Sequence, residues 1–202
     1  FEPYIKDATE IDIYIVVYTT TGVTFFTNQI DKTPTTYGSW VDVDCSSDAP
    51  NAIGLIFHIS VNWSPSGSWN LGIRNNGSTD DLTQAVYYHS SFGAIIGCDA
   101  NQVCEIYAGA DNQHIYLVGY VTDGATFYVN KTDESLSSTD TWMDLPTSLP
   151  SDTAMGFIEV TSSSAYRYGL RRNGSSEDLY YYAVCHCFSF VECDVSGVIE
   201  GK

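Results

Sequence analysis

Positive charge is what this sequence most lacks. Only 8 lysines and arginines stand against 25 aspartates and glutamates in 202 residues, a formal net charge of −17. Nucleic acids and anionic membrane surfaces are both held by basic patches, so neither is expected as a partner. Long hydrophobic runs are missing too. No stretch approaches the roughly 20 apolar residues of a membrane-spanning helix, so no membrane span is expected. Nor do apolar residues recur at helical spacing anywhere along the chain. Catalytic motifs are absent: there is no Gly-x-Ser-x-Gly elbow, no His-Glu-x-x-His and no phosphate loop. The four histidines (His58, His89, His114, His186) do not recur at matching places in the repeats described below. No enzyme and no cofactor are expected. EF-hand spacing and paired Cys-x-x-Cys motifs are lacking, which leaves no expected metal. The chain begins at Phe1 rather than Met, as in a mature or trimmed product.

What is present is a core. Apolar residues make up 44% of the chain and aromatics 14%, enough to exclude a disordered polymer. Ser, Thr, Asn and Tyr supply the polar surface. Six cysteines (Cys45, Cys98, Cys104, Cys185, Cys187, Cys193) form an even set, which reads as an oxidising compartment. Asn-x-Ser/Thr acceptors stand at Asn62, Asn76, Asn130 and Asn173. Together these features predict an extracellular or cell-surface protein.

The chain repeats itself. Trp69–Leu82 (WNLGIRNNGSTDDL) returns as Tyr166–Leu179 (YRYGLRRNGSSEDL), with seven of fourteen positions identical at an offset of 97. Ile13–Asn28 returns as Ile115–Asn130 at an offset of 102, with nine of sixteen identical. Both of these are rich in Ile, Val, Tyr, Thr and Phe around a Gly-containing turn, a β-hairpin signature. Trp40 matches Trp142, Ala52–Phe57 matches Ala154–Glu159, and Ala94–Asp99 matches Ser189–Asp194. The strand-like runs recur every 8–12 residues between Gly, Asn, Asp, Ser and Pro. The expected fold is all-β: two tandem homologous β-sandwich or jelly-roll modules, over residues 11–109 and 113–202, preceded by a strand within residues 1–10.

The Arg-x-Asn-Gly-Ser signature admits three readings. In the first, Asn-Gly makes a tight turn and Arg74 or Arg171 pairs with a nearby carboxylate such as Asp81 or Asp178. In the second, Asn76 and Asn173 are glycan acceptors. In the third, the acids and aromatics form a Ca²⁺ or carbohydrate site. Among the cysteines, Cys98 and Cys104 flank a short hairpin and are expected to pair; Cys187 with Cys193 is a weaker candidate pair. Cys185, His186, Cys187 and Cys193 suggest a zinc site on paper, but Cys185 and Cys187 share one face of a strand.

Residues 1–10 echo Cys104–Gln113: Glu2 matches Glu105 and Tyr4 matches Tyr107. Phe1, Glu2, Pro3, Tyr4 and Ile5 thus look like a spare last strand of a preceding module. Either they dock on the second module of another copy, extending its sheet in a head-to-tail fibre, or they are the remnant of a longer repeat array. Leu71–Asp80 and Tyr116–Tyr120 resemble tandem β-modules of microbial and phage extracellular fibre and adhesin proteins. The resemblance covers most of both copies and implies a structural or adhesive role. The expected function is a glycosylated structural subunit of an extracellular fibre or surface layer, with copies of itself as partners. The alternative is a lectin-like adhesin whose exposed Tyr and Trp hold glycans.

Overall fold

The computed structural model describes residues 19–62, 70–86, 89–145, 149–178 and 180–202, with the side chains of 163–165 and 181–186 excepted. No helix occurs among them. The strands in chain order are β1 (Val23–Asp31), β2 (Trp40–Asp44), β3 (Gly54–Val61), β4 (Asn70–Asn75), β5 (Gln84–Ala85), β6 (Ser90–Gly97) and β7 (Val103–Ala108). There follow β8 (Gln113–Val121), β9 (Met143–Asp144), β10 (Met155–Tyr168), β11 (Leu170–Arg172), β12 (Tyr181–Glu192) and β13 (Ile199–Gly201). Every pairing is antiparallel.

Two four-stranded sheets, ordered β1-β8-β3-β6 and β2-β7-β4-β5, close over one apolar core. Alternation in the sequence makes the inner face. On β3, Leu55, Phe57, Ile59 and Val61 point inward and are buried; Ile56, His58 and Ser60 point out. Across the core lie Leu71 and Ile73 of β4 and Ile106 of β7. At about 1.5–3 kcal/mol for each large aliphatic side chain withdrawn from water, this face holds the layers together.

The second half of the chain builds less. Strands β10 and β12 pair as a ribbon, and β11-β13-β9 form a small sheet. Their shared core is Leu145, Val191, Cys193 and Ile199, with Leu136, Leu149, Ile158 and Leu170 against it. Through the repeat, β10 and β12 stand for β3 and β6, while β9, β13 and β11 stand for β2, β7 and β4. The strand neighbours are the same in both halves. What the second half lacks, among the described residues, is a counterpart of β1 and β8.

β8 explains the difference. By sequence it opens the second copy, yet it lies between β1 and β3 in the first sheet. Val23 faces Val121 across the β1–β8 pair, and Thr122 N donates to Gly22 O at 2.8 Å. β1 therefore takes as a partner β8, a strand that belongs to the second copy by sequence. The expected hairpin of the second copy does not form. Its first arm is β8, but residues 124–133 run as loop across the first unit. Phe127 packs on Gly54 and Gly97 so closely that a Cβ on Gly54 would come within 2.3 Å of its ring. Glycine is required there for that reason. The expected assembly strand, Phe1–Ile5, lies outside the described residues.

Candidate functional site

The repeated signature folds into the same cluster twice. In the first copy Arg74 on β4 faces Glu105 on β7, and its Nε and Nη2 donate to the two carboxylate oxygens at 3.0 Å each. Its guanidinium carbon sits 4.1 Å from the centroid of the Trp40 ring. The Trp40 indole N–H donates to Asp81 at 2.9 Å, and Arg74 Nη1 donates to the Asp80 carbonyl. In the second copy Arg171 Nε bonds Glu200 at 2.7 Å and stacks 4.0 Å from Trp142, whose indole donates to Asp178 at 2.8 Å. The third bond returns as well, from Arg171 Nη1 to the Glu177 carbonyl. Gly72 is needed beneath the first cluster, because a Cβ there would lie 2.6 Å from Trp40 and 2.8 Å from the Leu82 carbonyl.

The arginines thus pair with Glu105 and Glu200, correcting the expectation of Asp81 and Asp178. The physical reason is register: Glu105 and Glu200 lie directly opposite on the neighbouring strand, within reach of the guanidinium, which in the first copy meets both carboxylate oxygens. The aspartates serve the indoles instead. The guanidiniums and indoles bond to carboxylates and backbone carbonyls of the protein itself, so the chemistry of the cluster is structural. It clamps three strands and a loop.

The Asn-Gly turn is likewise locked. Gly77 and Gly174 take φ of 77° and 80°, the left-handed region that favours glycine. Asn76 Nδ2 donates to Asp99 at 2.8 Å and Asn173 Nδ2 to Asp194 at 3.0 Å. The second oxygen of Asp99 accepts from the amides of Asn101 and Val103, and that of Asp194 from Ser196 and Val198. Of the four sequons, Asn62 and Asn130 are exposed, whereas Asn76 and Asn173 are half-buried with their amides committed.

These bonds set the acid response. Amide bonds from Val198 and Ser196 hold the Asp194 carboxyl below the usual range. Lys202 and Trp142 do so for Asp178. At Asp99 burial pulls the other way, yet the bonds from Val103 and Asn76 win. A depressed folded pKa gives stability that is full above the unfolded value of about 3.9 and lost as pH falls through the folded value. Melting temperature should therefore hold from neutrality to about pH 4 and decline below it. Thermal melts across that range check this; a decline complete above the carboxylate range would contradict it.

The described cysteines, Cys45, Cys98, Cys104, Cys187 and Cys193, are all free thiols, which corrects both expected disulfides. The step from Cys98 to Cys104 is not a hairpin. β6 ends in one sheet and β7 starts in the facing one, so the turn crosses between layers. Cys98 Sγ donates to the Ala52 carbonyl at 3.2 Å, while Cys104 is buried in the core. Cys187 lies within β12 and Cys193 just past its end, about 20 Å along one extended segment. Burial pushes the Cys45 and Cys98 thiols up to about 11 and Cys104 well above its ordinary value. Native protein at about pH 8 should leave these three unalkylated, and denaturation without reductant should expose all three. Intact mass after alkylation reads the difference; thiols that stay blocked after denaturation would restore the disulfide reading.

Among the described residues no three His, Cys, Asp or Glu side chains gather as metal ligands. Trp40 and Trp142 lie under guanidinium groups, so each has one ring face occupied. Trp63 and Trp69 lie outside the described residues. An open depression of about 680 Å³ lies on the second half, walled by Leu170, Arg171, Asn173, Ser175, Phe190 and Glu192 among others. Through the repeat these match Ile73, Arg74, Asn76, Ser78, Ile95 and Gly97. In the first half the corresponding site is filled. Phe127 rests on Gly97, Asn130 Oδ1 accepts from Ser78 at 3.1 Å, and Lys131 Nζ donates to the Ile73 carbonyl at 3.0 Å. The repeat made the signature legible; the filling of one copy and not the other had no sequence signal. No protein-family model matches the chain, nor does any curated protein or any solved structure.

Proposed function

We propose that the protein is a structural subunit of an extracellular fibre or surface layer, built by head-to-tail addition of copies of itself. The single observation that supports this reading is sheet completion across the repeat boundary. A strand from one copy of the repeat, β8, finishes the sheet of the copy before it. A chain that joins its own repeats by strand addition has the means to join molecules in the same way. The contact is heterologous, so it grows a filament unless it closes into a ring. The net charge of −17 favours a soluble subunit before assembly. The exposed sequons at Asn62 and Asn130 suit glycan decoration of such a surface.

Electron microscopy of the protein over a concentration series tests the reading. Filaments of regular axial repeat are expected; a protein that stays monomeric throughout would overturn it. Retention on a glycan column without filaments would favour the lectin-like alternative.

A further inference from the structure

We propose that Asp123-Gly124 is a self-modifying site, where the folded protein converts aspartate to isoaspartate through a cyclic imide. Three dipeptides in the chain have the composition for this chemistry: Asn76-Gly77, Asp123-Gly124 and Asn173-Gly174. In each the second residue is glycine, whose backbone nitrogen no side chain shields. Ring closure needs that nitrogen to reach the side-chain carbonyl carbon of the residue before it. In an unfolded chain all three are free to do so. The fold treats them differently.

Asn76 and Asn173 are held in place. Their Nδ2 atoms donate to Asp99 at 2.8 Å and to Asp194 at 3.0 Å, and both residues are half-buried. Each of those aspartates is fixed in turn by two backbone amides of its own loop. To cyclise, either asparagine must first give up a charge-assisted bond. Asp123 is placed the opposite way. The Gly124 amide donates to Oδ1 of Asp123 itself at 2.7 Å, so the attacking nitrogen already lies against the carboxyl group it must join. Such proximity replaces a search with a fixed geometry. Both residues are exposed, which gives water access for the second step. Gly124 takes φ of 76°, and a Cβ built on it would meet nothing within 4 Å, so the ring has room.

The conversion needs no reagent but water. The Gly124 nitrogen bonds to Cγ of the protonated Asp123 carboxyl, its proton leaves with the hydroxyl, and one water is released. Water then cleaves the bond between that nitrogen and the main-chain carbonyl carbon of Asp123. The main chain now runs through the β-carbon, a free α-carboxylate remains, and neither mass nor redox state has changed. The chain is one carbon longer just past the end of β8. There begins the loop that lays Phe127, Asn130 and Lys131 across the first unit, so the change falls on the joint between the two copies of the repeat.

Native protein and protein unfolded in urea, incubated side by side in mildly acidic buffer, test the site. After digestion, electron-transfer fragmentation identifies the β-linked residue, and deamidation of an asparagine shows as a gain in mass. Native protein should accumulate isoaspartate at position 123 at least as fast as the unfolded chain does. Asn76 and Asn173 should stay intact in the native protein and deamidate in the unfolded one. Gly124→Ala, whose methyl group shields the nitrogen, should slow the reaction at Asp123 by roughly tenfold. A native Asp123 that stays intact while the unfolded chain converts it would overturn the proposal. So would a rate unchanged in Gly124→Ala, or native asparagines that deamidate as fast as unfolded ones.

Discussion

Leu117→Ala and Ile115→Ala should each destabilise the first unit by about 2–5 kcal/mol, although both residues belong to the second copy by sequence. Their side chains are fully buried, and β8 is flanked by β1 and β3. Truncation leaves a cavity at the centre of the sheet, where two neighbours restrict relaxation. Amide exchange localises the loss. Protection should fall along Gly54–Val61, the strand against which β8 lies, and fall less along β10 and β12. Loss confined to β10 and β12 would contradict the strand's placement.

Arg74→Ala and Arg171→Ala should each cost about 2–4 kcal/mol, with Arg→Lys recovering less than half. Both arginines are nearly enclosed, with side-chain exposures of 14% and 15%, and each faces a glutamate exposed to 14%. Removing either cation strands a carboxylate between strands and uncovers an indole. Lysine returns the charge but not the two-pronged bond or the flat stacking surface. Urea unfolding of the four variants measures this; lysine variants as stable as wild type would reduce the cluster to simple charge pairing. The stacking distances differ little between the copies, 4.1 and 4.0 Å, so similar costs at Arg74 and Arg171 are expected.

Much of this was open to reading in the chain. Alternation in Gly54–Val61 and Gln113–Val121, with punctuation by Gly and Asn, predicts an all-β fold, and the sheets bear this out. The Asn-Gly pairs predict turns, and Gly77 and Gly174 take the positive φ that such turns use. Partner choice was less accessible. Asp81 and Asp178 are nearer in sequence to their arginines, but cross-strand register gives those arginines to Glu105 and Glu200. The cysteine spacing of Cys98 and Cys104 suggested a hairpin because a short polar turn looks the same whether it joins neighbouring strands or crosses between sheets.

The sequence by itself determined the all-β class, the Asn-Gly turns and the duplication, because alternation, glycine placement and internal identity are local properties of the chain. It also determined which face of residues 11–19 is apolar. Only the tertiary structure decided which strand completes which sheet. Residues 11–19 and Gln113–Val121 carry the same pattern, so nothing local tells which sheet such a strand joins. Geometry does: β8 sits between β1 and β3, in the sheet of the first copy.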